Sequence, residues 1–314
     1  MAKSMQFVFF KAVFILVFFP CLLVAQRFSV EVNLVNQPSG TVVFGSVKGD
    51  DFARIDSVSV SGPTTKVKFV FPENSHAGIY RILLGRTGYE MVMNKPARNF
   101  DFIFDNENLV FETDFEAVEE RLTVVQSKEN QAWYSFRKKD RALMKQISEL
   151  ETEIDNARNT TDSVRINDLA NKYNQAQMER DMFVMKASQD ARGLFVSQVI
   201  KNQRLPMLDG FLTPDERLNT FKADFFKVLD FSAPELINSS VYTDNVFTYL
   251  VRYNSPFITQ KQRETDYIKA VDMIMTSVKQ NNDVRKFIKN YLLHGFEVLK
   301  MQSLINYINK KYPQ

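Results

Sequence analysis

The sequence predicts an α+β protein in three parts: an N-terminal antiparallel β sandwich or barrel-like domain, a long antiparallel helical hairpin, and an all-α bundle. The first observation is where glycine falls. Seven of the ten glycines lie between Gly40 and Gly88, separating short segments rich in β-branched and aromatic residues. The second is a change of period near residue 125, where alternation gives way to apolar residues three and four apart. The third is a length of 314 residues with 45% hydrophobic and 25% charged, which suits about two domains and excludes a disordered or collagen-like chain.

Residues 1–25 read as a secretory signal peptide. Lys3 and Lys11 precede the apolar run from Ala12 to Val24, and Ala25 supplies a small residue for cleavage. The run is shorter than the roughly 20 residues of a spanning helix, and Pro20 interrupts it; a retained membrane anchor is the alternative. Cys21 has a second reading as a lipid-attachment cysteine, which would keep the protein membrane-associated, although Pro20 is a poor fit to the small residue such a site wants before it. Cleavage after Ala25 removes the only cysteine and two lysines, lowering the formal charge of +3 by two. An exported chain of this kind, periplasmic or elsewhere in the cell envelope, has no disulfide and relies on its core.

In the β region, 26–125, the candidate strands are 27–35, 41–47, 51–60, 65–71, 78–84, 90–93, 99–104 and 109–113. Alternation is clearest in Ile55, Ser57, Val58 and Val60, and in Val67, Lys68, Phe69, Val70 and Phe71. Gly62-Pro63 and Pro72-Glu73-Asn74 supply turns. Gly85-Arg-Thr-Gly88 lacks the lysine of a phosphate loop and reads as a hairpin turn.

The hairpin, 126–190, follows from two apolar series. Trp133, Phe136, Leu143, Ile147, Leu150 and Ile154 form one seam; after the turn Asn159-Thr160-Thr161-Asp162, Ile166, Leu169, Tyr173, Ala176, Phe183 and Ala187 form the other. Folding the chain about residue 160 sets Phe136 against Phe183 and Asp140 against Arg180. Each of those charges is the one ionic occupant of its seam, so the pair reads as a register-setting ion pair, with two solvent-facing side chains as the alternative.

The bundle, 191–314, is read as helices 187–201, 214–231, 239–253, 260–280 and 283–311. Thr213-Pro214-Asp215-Glu216 is a helix start with a cap, an early proline and early acids. Tyr267, Val271, Ile274 and Val278 form one core stripe; Phe287, Tyr291, Leu292, Phe296, Leu299 and Leu304 form another. Lys310-Lys311 complements the dipole of a helix end.

Little in the composition points to chemistry. The net charge carries no nucleic-acid footprint, and two histidines far apart in the chain make no zinc site by spacing. His76, in Asn74-Ser-His-Ala-Gly78, reads as a surface-turn residue, and His294, beside Gly295, as a partly buried structural one. Neither is accompanied by a nucleophile and base signature. Glu119-Glu120 and Asp50-Asp51 have the residue types of a glycosidase carboxylate pair, but surface turns and helix ends account for them. No catalytic residue, cofactor or metal is assigned.

Three groups of residues carry a family resemblance: Gly78-Ile-Tyr-Arg-Ile-Leu-Leu84 with Asn99-Phe-Asp-Phe-Ile-Phe104; Ser127-Lys-Glu-Asn-Gln-Ala-Trp-Tyr134; and Phe225-Phe-Lys-Val-Leu-Asp-Phe-Ser-Ala-Pro-Glu-Leu-Ile237 with Phe247-Thr-Tyr-Leu250. Together they resemble the N-terminal portion of Bacteroidota-type TlpA-like thiol:disulfide oxidoreductases, exported proteins in which a β-rich domain and a helical region precede a thioredoxin-like domain. The resemblance implies disulfide exchange on a Cys-x-x-Cys motif. This chain has one cysteine, and the exchange needs an attacking and a resolving thiol, so that activity does not carry over to it.

The expected function is therefore a non-catalytic accessory or scaffold protein of the cell envelope that positions a thioredoxin-like or other envelope partner. The alternatives are the N-terminal part of such an oxidoreductase without its thioredoxin domain, and a glycan- or peptide-binding module in which Tyr80 and Tyr89 form an aromatic platform.

Overall fold

A computed structural model of the chain describes residues 27–160, 162–254 and 257–313. The expected signal peptide and Cys21 lie outside the described residues. The strands β1 (Ser29–Val35), β2 (Gly40–Lys48), β3 (Asp51–Val60), β4 (Thr64–Val70), β5 (Gly78–Gly85), β6 (Arg98–Phe104), β7 (Leu109–Asp114) and β8 (Thr123–Gln126) form two four-stranded sheets, ordered β4-β1-β7-β8 and β3-β2-β5-β6. Alternate residues of both sheets enter one core, as the period of two requires: Val30, Val32 and Leu34 from β1 meet Phe44 from β2 and Phe100, Phe102 and Phe104 from β6. Aromatic rings join the layers, with Phe44 and Phe69 centroids 5.4 Å apart and those of Phe102 and Phe111 also 5.4 Å apart. The β domain is a sandwich, without barrel closure.

Three local readings are corrected. The sandwich is not wholly antiparallel, because β1 pairs parallel to β7, Val32 lying opposite Phe111; alternation shows which face a residue occupies and is silent on strand direction. Residues 123–126 add the strand β8, whose mostly exposed edge position lacks the apolar alternation of a core strand. Residues 90–93 are not a strand: α1 (Gly88–Val92) is a short helix started by a capping box, in which Glu90 N–H donates to Thr87 Oγ1 at 3.1 Å and Thr87 N–H donates to Glu90 Oε2 at 2.8 Å. Gly85-Arg-Thr-Gly88 accordingly leads into a helix rather than closing a tight hairpin.

Glu90 supports a prediction. The Thr87 N–H and then the Arg98 guanidinium lower its carboxyl from 4.5 to about 2. A depressed folded-state value means that the stability contributed by Glu90 is complete above its ordinary range and is lost as pH falls toward 2. Protection of the Met91–Met93 amides, measured against their intrinsic exchange rates, should therefore fall between pH 4.5 and 2, and Glu90→Gln should flatten that dependence.

The hairpin consists of α2 (Lys128–Asn159) and α3 (Ser163–Asp190), capped by Ser127 and Asp162. Its seam buries Phe136, Leu143 and Ile154 against Leu169, Tyr173, Ala176 and Val184. The Phe136 and Phe183 rings stack with centroids 5.4 Å apart. In the layer between, Arg180 Nε lies 2.8 Å from Asp140 Oδ1, with side-chain exposures of 7% and 16%. That contact is ionic but misaligned for a hydrogen bond, which Arg180 Nη2 instead donates to Asp140 Oδ2 at 3.2 Å.

The remaining helices are α4 (Phe195–Lys201), α5 (Pro214–Asp224), α6 (Val241–Val251), α7 (Gln260–Ser277), α8 (Asn282–Val298) and α9 (Gln302–Lys311). Several are shorter than the sequence suggested. Gly193, at φ +91°, separates α3 from α4. After α5 the chain passes through two short 3-10 turns, Phe225–Lys227 and Pro234–Asn238. The expected helix 283–311 is broken at Lys300, which takes φ 56° and divides α8 from α9.

The helices are fastened to the sandwich. Val47, Ile79 and Ile103 leave the sandwich core and join that of the bundle. At the start of α2, Asn130 is fully buried; its Oδ1 accepts from Ile103 N–H at 2.8 Å and its Nδ2 donates to Ile103 O at 2.7 Å, so a side chain takes the place of a neighbouring strand. Adjacent Glu129 accepts from the N–H groups of Phe195 and Val196 at 2.8 and 2.7 Å, capping α4, whose own N-cap Leu194 has no side-chain acceptor. Gly78 permits a close approach here, since a Cβ on it would lie 2.4 Å from Asn238 O.

Candidate functional site

A concavity of about 900 Å³ lies where the β2–β3 turn meets the helices. It is within the range of ligand-binding clefts. Local structure places each wall. Gly49 adopts φ 60°, turning the Lys48-Gly49-Asp50-Asp51 corner, and its N–H donates to Ser239 O at 2.9 Å, holding the corner against the start of α6. The space above that glycine is tight, with Thr243 and Phe287 about 3 Å from where a Cβ would stand. α6 contributes Phe247 and Val251, one helical turn apart on one face, and α8 contributes Phe287, Tyr291 and Val298, with Leu299 at its C-cap.

The floor of this groove and much of its rim are apolar, and its charged residues gather at one end. Tyr267 and Phe296 form part of the buried base, their ring centroids 5.7 Å apart. Phe247 and Leu299 are each 59% exposed, so two large apolar side chains face solvent across the opening. Such exposure on a bounded concave surface marks an interaction site rather than scattered surface apolarity. Asp50 and Asp51 stand at one end against a single cation, Lys48, giving that rim a negative balance. Burial, and second the nearby Asp50 carboxylate, push the Tyr291 phenol up, so it remains a neutral hydrogen-bond donor at physiological pH.

A smaller cleft of about 310 Å³ lies beside the hairpin and contains Tyr173, Arg180 and Arg217. Two of its cations, Arg180 and Arg217, are engaged in ion pairs, and the third, Arg252, lies over the Phe221 ring. Arg217 donates to Asp155 Oδ1 at 2.7 Å and to Leu212 O at 3.0 Å, and Arg180 faces Asp140. These arginines tie α5 and the preceding loop to the hairpin.

The structure separates Tyr80 from Tyr89, so they form no platform. Tyr80 is a core residue, 5% exposed, among Phe44, Phe71 and Phe102, and its hydroxyl donates to His76 O at 3.0 Å. Tyr89 lies beyond the other end of β5, on α1, and is exposed. His76 is exposed in its turn, whereas His294 is exposed on the groove rim instead of partly buried. The difference follows from α8, whose inward face is taken by Ile288, Leu292 and Phe296. Glu119 is clamped by Arg137 at 3.0 Å and Arg141 at 2.7 Å, bracing α2 against the sandwich. Asp50 and Asp51 are the carboxylate pair that borders a cavity.

Among the described residues no cluster of three or more His, Cys, Asp or Glu side chains is arranged to hold a metal ion, and no helix is long and apolar enough to cross a membrane. Sequence reasoning placed Leu299 in the core and did not distinguish Phe247 or Val251. The missed signal is the shortness of α6: its apolar residues surround more of the helix than one buried face requires, leaving Phe247 for the outside. No protein-family profile matches the chain, and no curated protein is significantly similar to it.

Proposed function

We propose that this chain is a non-catalytic accessory protein of the cell envelope that holds an apolar, basic-ended segment of a partner in the groove between the β2–β3 turn, α6 and α8. The observation that carries the reading is the groove's composition: apolar side chains line the floor and both lips, while Asp50 and Asp51 leave a negative rim at one end. Apolar contacts supply the affinity of such a site and the charged rim fixes orientation. The partner is a thioredoxin-like protein. Support for that identity comes from the family resemblance, because the stretch Phe247-Thr-Tyr-Leu250, which resembles the region preceding a thioredoxin domain, lies in α6 along the groove wall.

The test is a titration of the chain from Gln26 onward against fluorescent peptides that carry an apolar stretch with either a basic or an acidic end, and against a soluble thioredoxin-like protein. Basic-ended peptides should bind more tightly than acidic-ended ones. Phe247→Glu combined with Leu299→Glu should weaken binding by about tenfold or more, the usual consequence of losing central anchors. Both residues are 59% exposed, so the substitutions leave the fold intact. Equal affinity of wild type and variant would remove the groove from the account.

A further inference from the structure

Away from the groove, α1 displays a second apolar surface. Tyr89, Met91, Val92 and Met93 are 66%, 56%, 85% and 55% exposed. Because successive helical residues turn by about 100°, these positions leave α1 and its C-cap Met93 apolar on all sides but one. The remaining direction belongs to Glu90, which is buried and receives a hydrogen bond from Arg98 Nε at 2.8 Å. Arg98 in turn donates to Phe115 O at 2.6 Å and lies over the Phe115 ring at 4.5 Å. The capping box closes the first turn, and Lys95 N–H donates to Glu90 O at 2.9 Å. The tip is therefore a braced knob rather than a frayed loop.

Its charges have one sign. Arg86 and Lys95 flank the knob, and neither pairs with a carboxylate among the described residues. Arg86 Nη1 donates to Lys95 O at 3.2 Å, and Lys95 Nζ lies 5.3 Å from the Tyr89 ring centroid. The tip's own carboxylate is the inward-facing Glu90. A partner helix or a protein groove recognises a stripe on one side of a helix; a short knob, apolar nearly all round and flanked by two cations, matches a medium without sidedness. The interface of an anionic bilayer is such a medium, with an apolar boundary layer beneath phosphates.

We propose that the α1 tip is a membrane-surface docking wedge, in which Tyr89, Met91, Val92 and Met93 enter the headgroup boundary of an anionic phospholipid bilayer and Arg86 and Lys95 face its phosphates. The wedge is independent of the groove and of any lipid on Cys21. α1 joins the end of β5 to the start of β6, whereas the first described residues meet the far end of β6, where the Phe28 ring lies 5.8 Å from that of Phe104.

Sedimentation of the chain from Gln26 onward, which carries every described element, with phosphatidylcholine vesicles and with phosphatidylcholine–phosphatidylglycerol vesicles tests the wedge. Wild type should bind the anionic vesicles and release as salt rises. Val92→Asp should lower the partition coefficient by about tenfold or more, as expected for a charge placed in the wedge. Arg86→Ser combined with Lys95→Ser should reduce binding to anionic vesicles to the level seen with neutral ones. Met182→Asp, an exposed apolar site on α3, serves as the control and should bind as wild type. Absence of wild-type sedimentation, unchanged binding of Val92→Asp, or an equal loss in Met182→Asp would overturn the proposal. Circular dichroism of each variant separates loss of binding from loss of fold.

Discussion

Replacing Asp140 with alanine should destabilise the protein by about 3 kcal/mol or more, because it leaves a buried guanidinium without its counter-charge. Arg180 is 6% exposed and lies in the hairpin seam. Its hydrogen bond to Gln203 O at 2.8 Å survives the substitution, which sets the effect near the lower end of the range for a broken buried pair. Replacing both charges, Asp140→Leu with Arg180→Met, should recover most of the loss, since a well-packed apolar layer dispenses with the desolvation of two ions. Urea denaturation of the wild type, both single variants and the double variant measures the coupling. Equal midpoints for the wild type and Asp140→Ala would mean that the pair contributes nothing to hairpin stability.

Asn130→Ala should have an effect of similar size for a different reason. It removes the donor and the acceptor that satisfy both backbone groups of Ile103, a residue with no exposed surface. Leaving a buried N–H and a buried C=O without partners costs on the order of 1–3 kcal/mol each. The same substitution frees the first turn of α2 from β6, so sandwich and helices should lose cooperativity and unfold in two transitions rather than one. Amide exchange at Ile103 should accelerate by about tenfold for every 1.4 kcal/mol lost. A single transition with an unchanged Ile103 amide would show that the other contacts between the two regions, the Val47, Ile79 and Ile103 packing and the Glu119 clamp among them, hold them together without Asn130.

The divide between sheet and helix was legible because glycine and apolar period report local geometry, and both change near residue 125. The hairpin register was legible for a related reason: once the turn at residues 159–162 is located, antiparallel pairing fixes which layers face each other, and Asp140 meets Arg180. The capping box of Thr87 and Glu90 was present in the sequence too, but the apolar Met91, Val92 and Met93 beside it resemble a strand. That these residues stay uncovered depends on the rest of the fold.

Other features had no local signature. The parallel pairing of β1 with β7 joins strands separated by the whole second sheet, and no residue in either records direction. The break at Lys300 uses a left-handed conformation without a glycine, so the apolar stripe of α8 seemed to run on into α9. With that break unseen, Leu299 read as core, and the groove it lines remained hidden. Glu129 and Asn130 looked like an ordinary polar first turn, and their burial arises only when β6 and α4 close over them.

The proposed partner site is the groove between the β2–β3 turn, α6 and α8. Hydrogen exchange across the chain from Gln26 onward, with and without saturating basic-ended apolar peptide, tests it most directly. Slowed exchange should be confined to residues 48–51, α6 and the last two turns of α8, and should be lost in the variant carrying Phe247→Glu and Leu299→Glu. Protection centred on the hairpin cleft or on the outer face of the sandwich, or protection retained by that variant, would contradict it.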